Sequence, residues 1–206
     1  LANVHFYLGE TSKAIEYHEK RIKVLAQEGD KTVSQRINAL GIIAGLKRDI
    51  QAPGAKEAML EALALAKQHE AADPIRYVDT ITLQIANYQA EARYVEAQKL
   101  AVMADPVWLR HVPNPWKNNR YLVFRHAVGH TERFLGNYAA SESEFRKVAE
   151  ERLLEMPINE DYLARTLVGL GVVLQEQGKM DQAEAAFKRG MEGTLRQNGE
   201  ANAYYR

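Results

Sequence analysis

His126 and His130 stand four residues apart, so on a helix they share one face, and two imidazoles at that spacing can hold zinc. A zinc site needs at least a third ligand. The residues between them, Ala127, Val128 and Gly129, supply none, so no HExxH motif is present, and the nearest acid, Glu132, falls on another face. Neither a metal site nor any cofactor is expected. The chain has no cysteine, which removes disulfides, thiolate ligands and a Cys nucleophile together. Ser12, Ser34, Ser141 and Ser143 lie in no GxSxG elbow. There is no GxxxxGK(S/T) phosphate loop, and Gly169-x-Gly171 reads as helix packing. Carboxylate pairs such as Glu150-Glu151 and Glu160-Asp161 read as solvated faces or helix-start acids. No catalytic residues are assigned, and the chain is not expected to be an enzyme.

A second stretch carries recognition chemistry rather than catalysis. Residues 105–120 contain both tryptophans, Trp108 and Trp116, and Pro106, Pro113 and Pro115, three of the six prolines. From Pro106 to Thr131 there is no Asp or Glu, while Arg110, Lys117, Arg120 and Arg125 are basic, and His111, His126 and His130 add conditional charge. Two roles fit. The tryptophans can plug a joint, with prolines shaping a non-helical link at 105–116. Alternatively Trp108, Arg110, Trp116, Lys117 and Arg120 can form a hook for an acidic peptide, since Arg suits carboxylates and Trp is favoured at binding hot spots.

The elements that would position these residues are helical and repeated. Leu167-x-x-Leu170-Gly171-x-x-Leu174 leads into Gly178, Met180, Ala183 and Phe187. The same spacing returns in Val128-Gly129, Gly136, Tyr138, Ser141 and Phe145, in Ile81, Ile85, Tyr88, Ala92, Tyr94 and Ala97, and in Leu1-Ala2, His5, Gly9, Ala14 and His18. In each copy the small or apolar residue of a first helix precedes that of a second by 12 positions: 171 to 183, 129 to 141, 85 to 97, 2 to 14. A looser copy pairs Gly41 with Ala58, the extra five residues carrying the turn signal Pro53-Gly54. Gly171 and Ala183 would sit where antiparallel helices approach closely. Gly9, Gly136 and Gly178 would end first helices at positive φ. Phe145 and Phe187 would pack between hairpins, because a lone hairpin leaves an apolar face uncovered.

The arrangement resembles long-period tetratricopeptide repeat (TPR) proteins. Residues Leu8 to Glu19 look like the Pins-type adaptor unit, and Leu170-Gly171 through Phe187 like that of kinesin light chains; bacterial TPR sensor arrays are similar. Second-helix markers at Ala14, Ala58, Ala97, Ser141 and Ala183 are 44, 39, 44 and 42 residues apart, longer than the familiar 34. The resemblance implies an all-α, right-handed superhelix of about five hairpins, an α-solenoid, with repeats at 1–28, 31–70, 73–104, 117–155 and 159–196. Expected helices are 1–9, 12–28, 31–47, 55–70, 73–91, 93–104, 117–135, 138–155, 159–177 and 180–196, with a short terminal one at 199–206. It also implies that first helices line a concave groove for a partner, which would expose Asn3, Tyr7, Asn38, Gln89, His126, His130, Arg133, Arg165 and Gln175. Some TPR domains clamp a C-terminal carboxylate; Asn3 fits that pattern, but Ala39 and Leu83 stand where Asn and Arg would be needed.

Composition agrees. Lys+Arg and Asp+Glu are both 27, so the net charge is zero, and a nucleic-acid partner is not expected. No apolar run approaches the roughly 20 residues of a membrane span. Cysteine-free composition fits a cytoplasmic protein. The start, Leu1-Ala2-Asn3-Val4, reads as the middle of a helix, so the chain is expected to be a fragment of a longer array. Its expected partner is a protein or peptide, in one reading an acidic one. It would act as a scaffold, or as a sensing array that controls an attached effector. End-to-end self-association through cut array ends is a third possibility.

Overall fold

The computed structural model describes residues 9–198, and every regular element among them is helical. The α-helices are α1 (Thr11–Gln27), α2 (Val33–Asp49), α3 (Ala55–Gln68), α4 (Pro74–Ala90), α5 (Tyr94–His111), α6 (Asn119–Phe134), α7 (Tyr138–Leu153), α8 (Glu160–Glu176) and α9 (Met180–Asn198). Short 3-10 turns cover Gly29–Thr32 and Pro115–Lys117. The helices expected at 1–9 and 199–206, and with them Asn3 and Tyr7, lie outside the described residues. The chain forms two compact units. The first comprises residues up to Glu91 together with Met103–His111, and the second Ala92–Val102 together with the residues from Val112 onward.

Helix ends follow local chemistry. Asp73 accepts from the Arg76 N–H at 3.0 Å with Pro74 in the first turn. Asn118 accepts from the Arg120 N–H at 2.9 Å, and Asn159 from the Tyr162 N–H at 3.3 Å. Each side chain satisfies a donor that the first turn leaves open. Gly9, Gly136 and Gly178 have φ of 75°, 78° and 75°, each two residues before the next helix. The equivalent residue between α4 and α5 is Ala92, held at φ 56°, where a Cβ is unfavourable.

In the second unit, α6 pairs with α7 and α8 with α9, and α7 lies against α8. Phe145, fully buried, sits where two glycines leave room: a Cβ on Gly129 would come to 3.1 Å of its ring and one on Gly169 to 2.7 Å. Gly171 is likewise closed on by Phe187, at 2.6 Å. Around them Leu163, Leu167, Leu170, Val173 and Ala183 complete the core. Ser141, which departs from the usual Ala, is fully buried and donates to the Gly129 carbonyl at 2.7 Å, so its hydroxyl is satisfied within the closest approach of α6 and α7. The first unit packs α2 against α1 and α3, with α4 against α3 and α2. Its core includes Ile37, Met59, Ile81, Ile85 and Trp108.

One expected boundary shifts. The stretch 105–116 is not wholly a non-helical link, because α5 runs through Pro106 to His111. A proline inside a helix loses one backbone hydrogen bond and crowds the carbonyl four residues before it. Burial of Trp108, at 0% exposure two residues beyond, opposes that cost. The helix ends at His111, and the chain turns at Asn114, with φ 51°, before Pro115.

Two substitutions test this account by urea denaturation. Gly169→Val should destabilise by about 2 kcal/mol or more, because Phe145 is hemmed on its other side by Gly129 and cannot retreat. Ala92→Gly should stabilise by about 1 kcal/mol by relieving the left-handed residue.

Candidate functional site

The candidate residues divide between the two units. In the first, Asn38 is exposed on α2 and Gln89 is half-buried on α4; Trp108 is buried in α5 and Arg110 exposed at its end. Successive first helices α2 and α4 are tied at both ends. Ser34 Oγ donates to Asp73 Oδ2 at 2.7 Å, and Arg48 Nη1 donates to Asn87 Oδ1 at 2.6 Å.

The second unit repeats this device with the very residues proposed to meet a partner. Arg133, at 16% side-chain exposure, donates to Glu176 at 2.8 Å and so links the ends of α6 and α8. Its guanidinium also lies 4.0 Å from the centroid of Phe134, which stacks on Tyr94 at 4.5 Å. His126 and His130 meet edge-on, with Nε2 atoms 3.2 Å apart, and both rings pack on Phe145 at 5.4 and 5.0 Å. His126 Nδ1 lies 3.3 Å from Thr166 Oγ1, whose hydroxyl donates to the Tyr162 carbonyl at 2.9 Å. With that proton committed, Thr166 accepts the His126 Nδ1–H, which leaves the His126 Nε2 lone pair to accept the His130 Nε2–H. The pair is thus a hydrogen-bonded relay from α6 to α8. No group of three metal-ligating side chains forms among the described residues.

The basic character read from Pro106 to Thr131 is largely matched by acids on α7. Arg125 binds Glu144 through two nitrogens, one at 2.7 Å, and Lys117 reaches Glu151 at 2.8 Å. Trp116 is half-buried, edge-on to Tyr121 at 5.2 Å, with Arg125 and Lys147 over its ring at 5.5 and 5.8 Å. Trp116 therefore works within its unit as a platform for two cations that are themselves ion-paired, and Arg120 is exposed nearby in sequence on α6.

What α8 leaves facing solvent is different. Arg165, at 66% side-chain exposure, pairs along its own helix with Asp161 at 2.9 Å and shares a face with Val168 and Gln175. Val168 is 46% exposed. Sequence reasoning named Arg165 and Gln175 but not Val168, because an apolar residue type carries no signal of exposure. It also missed Thr166, Glu144 and Glu151, whose roles depend on residues many positions away.

The fold is a succession of paired helices forming helical hairpins, with polar ties between successive first helices. Residues 164–192 match the family model for the tetratricopeptide repeat. Two solved structures share the TPR-like solenoid fold. One is BtubC (BKLC) from P. vanneervenii, 16% identical, with TM-score 0.55, covering 96% of this chain and 93% of that one. The other is a protein described as a kinesin light chain of nearly identical TPR-like repeats from Podospora anserina, 14% identical, with TM-score 0.61, covering 97% and 94%. No curated protein matches the sequence. No helix among the described residues is long and apolar enough to cross a membrane.

The histidine relay has a titration signature. Burial, then His130, Arg152 and Arg165, lower His126 to about 3, and burial and Arg133 lower His130 to about 4. Both are neutral near pH 7. Below about 6.5 the unfolded chain binds protons that the folded pair refuses, so their contribution to stability is full above that pH and lost as pH falls toward 4 and 3. Glu142 is lowered to about 2 by Lys179, Arg146 and Gln177, so its contribution fades only below the ordinary carboxylate range. Chemical denaturation should therefore show stability falling by about 1 kcal/mol per pH unit or more between pH 6.5 and 5. His126→Gln/His130→Gln should flatten that slope; an unchanged slope would place the titration elsewhere.

Proposed function

We propose that the chain is a non-catalytic scaffold that binds a protein or peptide on the exposed face of its first helices. The observation that carries this is the stripe Arg165, Val168 and Gln175 on α8. The helix buries Leu163, Leu167, Leu170 and Leu174 on one side, yet keeps an aliphatic side chain among long polar ones on the other. An exposed valine flanked by Arg and Gln supplies both the apolar contact and the polar rim that protein interfaces use. Asn38 on α2 and Leu83 on α4 are exposed in the first unit and extend the same kind of surface there.

This reading alters the partner chemistry expected from the sequence. Arg125, Arg133 and Lys117 already have carboxylate partners, so a partner on α8 meets one exposed Arg and a valine rather than a broad basic patch. A sensing array linked to an effector domain would use the same face and would differ in what the partner's arrival changes elsewhere.

The double substitution Arg165→Glu/Val168→Asp should reduce capture of interacting proteins at least about tenfold, which corresponds to about 1.4 kcal/mol. Its thermal midpoint should stay close to that of the wild-type chain, since both side chains are exposed. Unchanged capture in quantitative affinity enrichment would remove α8 from the binding face.

A further inference from the structure

Helices α1, α2 and α3 of the first unit leave between them an open groove of about 360 Å³. Its floor is apolar, formed by Ile22, Leu40, Ile43 and Ala58, and its rim carries Glu19, Lys23, Lys47, Glu57 and Glu61. The groove runs between second helices α1 and α3, with Leu40, Ile43 and Lys47 of first helix α2 in its lining. Its volume is within the range of ligand-binding clefts.

The second unit shows how the equivalent space is closed. There Arg146, five residues after Ser141, donates to Gln182, the residue before Ala183, at 2.8 Å and so ties second helix α7 to second helix α9. Glu142 adds bonds from Gln177 at 2.8 Å and Lys179 at 2.6 Å. The same register in the first unit places Glu19 five residues after Ala14 and Glu57 just before Ala58. Where one unit has a donor and an acceptor, the other has two carboxylates, which cannot tie α1 to α3. Glu19 turns instead to Lys47 at 2.9 Å. Glu57 and Glu61, one helical turn apart and both exposed, leave the α3 rim acidic, and Lys23 is the opposing rim cation.

We propose that this groove binds a peptide segment of a partner protein that places an Arg or Lys beside an aliphatic side chain. The cation spans the Glu19–Glu57–Glu61 rim as Arg146 does in the other unit. The aliphatic group covers Ile22, Ile43 and Ala58. Carboxylates lining one groove favour a bound cation, and a guanidinium can serve two carboxylates at once.

The test uses fluorescence anisotropy with a short labelled peptide of repeated Leu-Arg-Ser units, set against Leu-Asp-Ser and Ser-Arg-Ser counterparts. The Leu-Arg-Ser peptide should bind the wild-type chain at least about tenfold more tightly than either. Glu57→Arg should abolish that difference and leave or raise the thermal midpoint, because the introduced guanidinium can pair with Glu19. Glu61→Lys should weaken binding in the same direction, so the result does not rest on one variant. Absence of binding, equal binding of the Leu-Asp-Ser peptide, or binding insensitive to both variants overturns the proposal. So does binding lost only in Arg165→Glu, which assigns it to the α8 face. Concentration-dependent dimers in sedimentation velocity that disappear in Glu57→Arg would make a second copy the occupant, and would overturn it as well.

Discussion

The second unit depends on one steric constraint: the Phe145 ring occupies space that any Cβ on Gly129 or Gly169 would invade. Because both glycines are bare, α6 and α8 each approach α7 closely enough for a single aromatic ring to join one hairpin to the next. Burying such a ring supplies about 2–3 kcal/mol, and the close contact around it supplies dispersion that a looser interface would lose. Gly171 against Phe187 applies the same solution within the following hairpin. In the first unit Gly41 gives Leu83 similar room, at 3.0 Å.

Once hairpins are closed this way, polar side chains decide how neighbouring first helices align. Ser34–Asp73 and Arg48–Asn87 do so in one unit, and His126–Thr166 and Arg133–Glu176 in the other. Polar residues on a first-helix face therefore divide into two groups, those spent on alignment and those left for contact. Buried or half-buried polar groups need partners, so the first group is held by necessity. Arg165, Val168 and Gln175 belong to the second. The second-helix side shows the same division, with a bridged space in one unit and an acidic, unbridged groove in the other.

Much of the fold was legible because it rests on local periodicity and on residue types with few alternatives. Glycine at 136 and 178 marked helix ends because positive φ excludes most residues, and the spacing from Gly171 to Ala183 marked the hairpin. Other features were not legible. Ala92 adopts the glycine conformation without being glycine. Pro106 suggested a break, yet α5 continues to His111, with Trp108 buried beyond the proline. The acid-free run from Pro106 to Thr131 looked basic because its counter-charges, Glu144 and Glu151, come from the next helix.

The sequence by itself determined that the chain is helical, that its helices pair as hairpins, and which small and aromatic residues join them. These follow from helix period, backbone conformation and side-chain volume, all properties of short segments. Only the tertiary structure decided which charges remain available. His126, His130 and Arg133 became alignment contacts, Arg125 and Lys117 were paired by α7, and Arg165 and Val168 stayed exposed. The reason is physical: a side chain's charge and exposure depend on what packs against it, and those neighbours lie about one repeat away in sequence.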